Sequence, residues 1–145
     1  MVSYNISSAQ DLFNAIHDIN VKFYKPACEN VVYLEELCDE NFIAYMVSLR
    51  DAFSHIAKIF EYADFSSKKE EIYRQLDRYS GHLERVLFDT YQKIISVKSR
   101  ELWSSLPKEQ IGAIKTQIAK KIVELRIVSD SISIDEKIEG YKKIY

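Results

Sequence analysis

The sequence predicts an all-α protein, a four- or five-helix antiparallel bundle formed by one domain over residues 1–145. Three observations lead there. Glycine (three) and proline (two) are scarce in 145 residues, and no Asn-Gly or Asp-Gly pair marks a hairpin, so an all-β chain of this length lacks its turns. Apolar residues make up 47% of the chain, enough to build a core rather than a disordered coil. Those residues recur at three- and four-residue intervals, the period of a helix with one apolar face.

The first helix is expected from Ser7 or Ser8. Asp11 follows Ser8 at the spacing of a cap and lies in the first turn, where the helix dipole favours a carboxylate. Leu12, Phe13, Ile16, Ile19 and Phe23 form its stripe, and His17 beside them reads as a surface residue. Pro26 disfavours helix at Lys25 and removes one backbone donor, so it kinks this helix or starts another that resumes to about Cys38. Asp39 is a candidate N-cap for the next helix, which runs to about Tyr62. Its apolar residues Ile43, Met46, Val47, Phe53, Ile56, Ala57 and Phe60 are expected to form its buried face.

Residues 64–67, Asp-Phe-Ser-Ser, make the clearest loop. Ser66 or Ser67 can cap a third main helix from about Lys68 to Ser104, with Glu70 and Glu71 in its first turns. Gly81 lies inside that helix at a cost of roughly 1 kcal/mol, and its missing side chain suits a close approach by another helix or a ligand. Pro107 suits the first turn of the following helix. Ile111, Ile114, Ile118, Ile122, Leu125 and Val128 continue the period there. The pattern extends weakly through Ile132, Ile138, Tyr141 and Tyr145, as one helix or as two broken near 129–133.

Several classes of protein are disfavoured. No apolar run approaches the roughly 18–20 residues that cross a bilayer, so no membrane association is expected. The first ten residues lack the basic and apolar regions of a secretory signal. Cys28 and Cys38 have neither zinc-site spacing nor the numbers of a disulfide framework. A soluble, cytoplasmic protein with reduced thiols is the expectation. Nothing resembles a phosphate-binding loop, a dinucleotide fingerprint, a metal-binding helix motif or a serine nucleophile elbow. The ten tyrosines and seven phenylalanines lie at core spacings rather than as a base-stacking platform.

The formal charge of −2 hides an asymmetry. Residues 1–64 hold four bases and ten acids, and residues 65–145 hold sixteen bases and twelve acids. The window 93–126 is the most basic, with eight Lys/Arg against Glu101, Glu109 and Glu124. Such a stretch suits either a solvated helix face or a polyanion such as RNA.

Two clusters carry candidate chemistry. Arg50, Asp51 and His55 fall within one and a half turns of an apolar helix, where each costs free energy unless paired or used. In the second, Arg78, His82, Arg85 and Asp89 lie four, three and four residues apart, along one stripe of the third main helix. That stripe suits a salt-bridge ladder or a phosphate. If the two helices are antiparallel neighbours, His82 lies roughly level with Arg50 and both clusters join one polar seam.

Arg50, four intervening residues and His55, with polar Asp51 directly after the arginine, resemble the motif of the HEPN superfamily. Six residues carry the resemblance. It implies a helical bundle and, for many members, a metal-independent endoribonuclease that forms a homodimer with both motifs facing a shared cleft. Arg50, His55 and Asp51 would then be the catalytic residues and Arg78, His82 and Arg85 an auxiliary polar seam, with no cofactor or metal.

The chemistry fits these residue types. The RNA 2′-hydroxyl can attack the adjacent phosphate, and an imidazole of near-neutral pKa can take or give the proton. A guanidinium can hold the phosphate and stabilise transition-state charge. Residues five apart are about 140° apart around a helix, so Arg50 and His55 of one chain do not share a stripe, and a second subunit becomes part of the expectation. A nuclease also implies a neutralising or activating protein partner, because unrestrained it is toxic to its host. The alternative is a non-catalytic helical interaction module that binds RNA or a partner protein, with Arg50 and His55 in structural roles.

Overall fold

The computed structural model describes residues 6–38, 42–62, 67–127 and 133–144. Among them there is no strand, and the helices are α1 (Ala9–Ile19), a π-helical segment (Asn20–Tyr24), α2 (Lys25–Cys38), α3 (Ile43–Phe60), α4 (Lys69–Ser105), α5 (Lys108–Ile127) and α6 (Ile134–Ile144). The first three are continuous, so the described residues form five helical rods of an all-α, helix-bundle protein. They cluster into two compact units, Met1–Leu87 and Phe88–Tyr145, with α4 contributing to each. No helix among the described residues is long and apolar enough to cross a membrane.

The first unit begins with the expected cap. The Ser8 hydroxyl accepts from the Asp11 amide at 3.2 Å, and the Asp11 carboxylate accepts from the Ser7 amide and hydroxyl at 2.9 and 2.7 Å. These bonds hold the Asp11 carboxyl down at about 2. At Pro26 the rod neither breaks nor ends. The Lys25 amide bonds back to the Asn20 carbonyl, a five-residue reach. Such a wider turn just before the ring accommodates proline within a continuing helix.

Ile19, Phe23, Ala27, Val31 and Leu34 of this rod are buried, as are Ile72, Leu76, Tyr79, Leu83 and Leu87 of α4. The Tyr79 hydroxyl donates to Asn20 Oδ1 at 2.5 Å. Phe53 of α3 lies edge-on to Tyr24 and against Tyr79, with ring centroids 5.1 and 5.8 Å apart. His17, as expected, is exposed, and it stacks on Phe13.

One expectation is reversed within α3. Its helical period is correct, but its buried residues are Leu49, Ala52 and Ile59. Ile43, Met46, Val47, Phe53 and Phe60 are exposed, at 69, 55, 40, 40 and 68%. The physical reason is that α3 is apolar around most of its circumference, so the period alone does not select which side packs. The proposed caps Asp39 and Ser66 lie outside the described residues, as do residues 129–132 of the stretch 129–133 where one helix was expected to continue or to break in two.

In the second unit Tyr141 of α6 is fully enclosed, stacked on Phe88 and Tyr91 at 5.4 and 6.0 Å. Gln92 Nε2 donates to its hydroxyl at 2.9 Å. The buried Lys137 ammonium lies 4.5 Å from the Phe88 ring centroid, where the π-face replaces part of its hydration. Ser133 and Glu136 cap α6 reciprocally: the Glu136 amide donates to the serine hydroxyl at 3.2 Å and the Ser133 amide to the carboxylate at 2.8 Å.

Candidate functional site

The candidate site lies where α3 meets the first half of α4. Arg50 is at the exposed side of α3, and its Nε and Nη2 donate to Oδ1 of the adjacent Asp51 at 3.2 and 2.9 Å. Both side chains are well exposed, 74 and 47%, so the pair contributes little to stability. His55 faces the other way. Its Nδ1 lies 2.7 Å from Gln75 Oε1 on α4.

Gln75 is 3% exposed, and its orientation is fixed from behind. Its Nε2 donates to Glu71 Oε1 at 2.6 Å, one helical turn back on α4. The amide oxygen is thereby turned toward His55 and accepts from it. The proton of neutral His55 is therefore on Nδ1, and Nε2 is left as the free base. Glu71 is itself anchored, chiefly by the Arg74 guanidinium, then by Gln75 and the Tyr62 hydroxyl, and these bonds hold its carboxyl at about 2. An ionised carboxylate, an amide and an imidazole thus form one chain of hydrogen bonds across the α3–α4 seam.

The imidazole of His82 stacks on that of His55, with ring centroids 5.3 Å apart and planes at 26°. Both rings are partly exposed. Burial, the neighbouring His55 and the Arg85 guanidinium, in that order, lower the pKa of His82, while Asp51 opposes them. His82 is accordingly biased toward the neutral form.

The structure therefore joins the two sequence clusters through their histidines. His82 meets His55 rather than standing level with Arg50. Arg78 and Arg85 are exposed on α4, and among the described residues no salt bridge joins Arg78, His82 or Arg85 to Asp89, so the expected ladder is not formed. Gly81, next to His82, has nothing within 4 Å of where a Cβ would stand, so no helix packs against it. Sequence reasoning missed Gln75 and Glu71. The signal was present: 71, 75, 78, 82 and 85 continue one stripe at spacings of four and three.

The described residues contain no group of three or more His, Cys, Asp or Glu side chains placed to hold a metal ion, and Cys28 and Cys38 are free thiols. The arrangement can move protons: two stacked imidazoles, His82 biased toward its neutral form and His55 with a fixed tautomer, stand beside a guanidinium. Comparison with protein-family models, curated proteins and solved structures found no match.

Proposed function

We propose that this protein is a HEPN-like, metal-independent endoribonuclease of the cytoplasm, with His55 and His82 as its proton-transfer pair. The observation that carries the reading is the stacking of the two rings at 5.3 Å, with His55 anchored through Gln75 to Glu71.

In this reading His82, held toward neutrality, takes the proton from an RNA 2′-hydroxyl. The 2′-oxygen forms a bond to phosphorus, and the bond from phosphorus to the 5′-oxygen breaks. Protonated His55 gives its Nε2 proton to that leaving oxygen. The products are a 2′,3′-cyclic phosphate and a 5′-hydroxyl, and each imidazole ends in the protonation state in which the other began. Arg85 holds the phosphate charge. Arg50 and Asp51, expected as catalytic partners of His55, receive less support, since their side chains engage each other. The lysines at 108, 115, 120 and 121 are exposed on α5 and suit the RNA backbone. Restraint in the host then falls to a neutralising partner or an activating signal.

The test is cleavage of a mixed RNA pool in EDTA by wild type, His55→Ala, His82→Ala and Arg50→Ala, each checked for folding. The expected result is metal-independent cleavage lost by roughly 10²–10⁴-fold in either histidine variant. Cleavage indifferent to both histidines would remove the site, and no cleavage by folded wild type would favour the second reading. That reading is a non-catalytic interaction module, supported by the exposed apolar face of α3.

A further inference from the structure

His55 is held in the way that a metal-binding histidine is held. Its Nδ1 donates to Gln75 Oε1 at 2.7 Å, and Gln75 donates in turn to Glu71 at 2.6 Å. A histidine that binds a metal through one nitrogen gives its other N–H to a carbonyl or a carboxylate. That bond fixes the tautomer, aims the ring and makes the free nitrogen a better donor of its lone pair. Here the acceptor is the buried Gln75, with the Glu71 carboxylate behind it. Nε2 keeps its lone pair, on a ring that solvent reaches.

His82 supplies a second imidazole at the separation a shared ion needs. Zinc stands about 2.0–2.1 Å from a ligating ring nitrogen, so two imidazoles on one tetrahedral ion have centroids roughly 5 Å apart. The His55 and His82 centroids are 5.3 Å apart. Among the described residues nothing hydrogen-bonds to the His82 ring, so it can turn about its soft terminal torsion without giving up a partner. One ligand is fixed and the other is adjustable. Both stand on helices, inside one compact unit, which places them more firmly than a loop would. Of the charges near His82, Arg85 opposes a cation and Asp51 favours it. No third His, Cys, Asp or Glu side chain among the described residues is placed to join the pair, so water completes the shell.

We propose that His55 Nε2 and a ring nitrogen of His82 together bind a divalent transition-metal ion, represented by Zn²⁺, and that the bound ion silences the pair. The donors set the class of ion: imidazole suits zinc, copper and nickel, whereas magnesium and calcium take oxygen ligands. The silencing rests on the proton-transfer reading. An ion that occupies both lone pairs leaves neither ring able to take or give a proton, so zinc suppresses RNA cleavage where magnesium does not. The binding stands without that reading, and it is measured without RNA.

The test is a Zn²⁺ titration of the full chain followed by NMR of its three histidines, with Mg²⁺ as the control ion. The signals are resolved by residue because Cys28 and Cys38 are free thiols that also take zinc. His55 and His82 are expected to shift together and to saturate below about 1 mM, while His17, exposed on α1, keeps its position. Mg²⁺ moves none of them. His55→Ala and His82→Ala each weaken binding at the remaining ring by roughly 100-fold, since the second ligand acts at high effective concentration. Gln75→Leu, checked for folding, weakens it by roughly 10–100-fold with both imidazoles present, and Gln75→Glu, which keeps an acceptor for Nδ1, retains it. Shifts that do not saturate, shifts at one ring alone, or an affinity indifferent to either alanine would overturn the site. Cleavage of RNA that continues at saturating zinc would overturn the silencing. Where wild type cleaves no RNA the nuclease reading falls, and the titration alone decides the site.

Discussion

His55 and His82 stack with centroids 5.3 Å apart, one from α3 and one from α4. Two imidazolium ions at that distance repel each other, so the seam is compatible with one proton more readily than with two.

A dependence of stability on pH follows. His82 has its pKa lowered in the folded protein, mainly by burial and then by His55 and Arg85. The unfolded chain therefore binds this proton more readily. The stability tied to neutral His82 is complete above the ordinary histidine value, about 6.5, and is lost as pH falls through the lower folded value. Glu71, held at about 2, adds a second decline from its ordinary carboxylate range down to that value. Urea unfolding at pH 8, 6 and 5 should show the first decline in wild type and a flatter profile in His82→Gln. Proton NMR should place His82 below the usual imidazole range.

Gln75 is the joint between Glu71 and His55. Gln75→Leu keeps the volume but removes both hydrogen bonds, leaving the imidazole and a carboxylate oxygen without that partner. The expected cost is about 1–3 kcal/mol, read by urea denaturation. Gln75→Glu instead places a carboxylate against His55 and should raise the titration point of that ring, read by NMR. An unchanged His55 titration in Gln75→Glu would mean that the joint is not maintained in solution.

Tyr79 is fully buried, its hydroxyl bound to Asn20. Burial first, then the nearby Tyr24, push its pKa up to about 12, although the bond to Asn20 opposes the rise. Ultraviolet titration should therefore show a tyrosine ionising near that value, and Tyr79→Phe should abolish that step. The same variant leaves Asn20 Oδ1 without its donor and should lose about 1–2 kcal/mol.

Two glycines inside helices should respond oppositely to alanine. At Gly81 a Cβ meets nothing within 4 Å, so Gly81→Ala should stabilise by about 0.5–1 kcal/mol through helix propensity. At Gly140 a Cβ would stand 2.5 Å from Leu125 Cδ2 and 3.3 Å from Cδ1. Leu125 is buried, so its rotation is constrained, and Gly140→Ala should destabilise by about 1 kcal/mol net. Thermal melts of the two variants, shifted in opposite directions, would check both.

Much of this was legible in the chain, for local reasons. Ser8 and Asp11 announced the start of α1 because a cap is a contact between near neighbours in sequence. The helical period of α3 was equally plain. Its buried side was not, because apolar residues lie on both sides and the choice is made by the neighbours α3 meets, Tyr24 of the π-helical segment and Gln75, Tyr79 and His82 of α4. His55 and His82 each stood out as polar residues in apolar surroundings. Their meeting depends on the register of two helices across a connection, which spacing within one helix does not determine. Gln75 passed unnoticed because an amide advertises no chemistry until something is seen to bind it.

The π-helical segment before Pro26 has a consequence for how this chain tolerates change in length. The buried residues Ile19, Phe23, Ala27 and Val31 are four apart, a row that drifts about 40° per step around a regular α-helix. The wider turn at Asn20–Tyr24 offsets part of that drift. Five residues of the wider turn cover about the rotation that four cover in an α-helix. Deleting one there would restore a regular helix with Val31 and Leu34 near their present directions, and the cost would fall on Pro26, whose ring would then meet the carbonyl four residues back. The segment should therefore accept the loss of one residue only together with the replacement of Pro26.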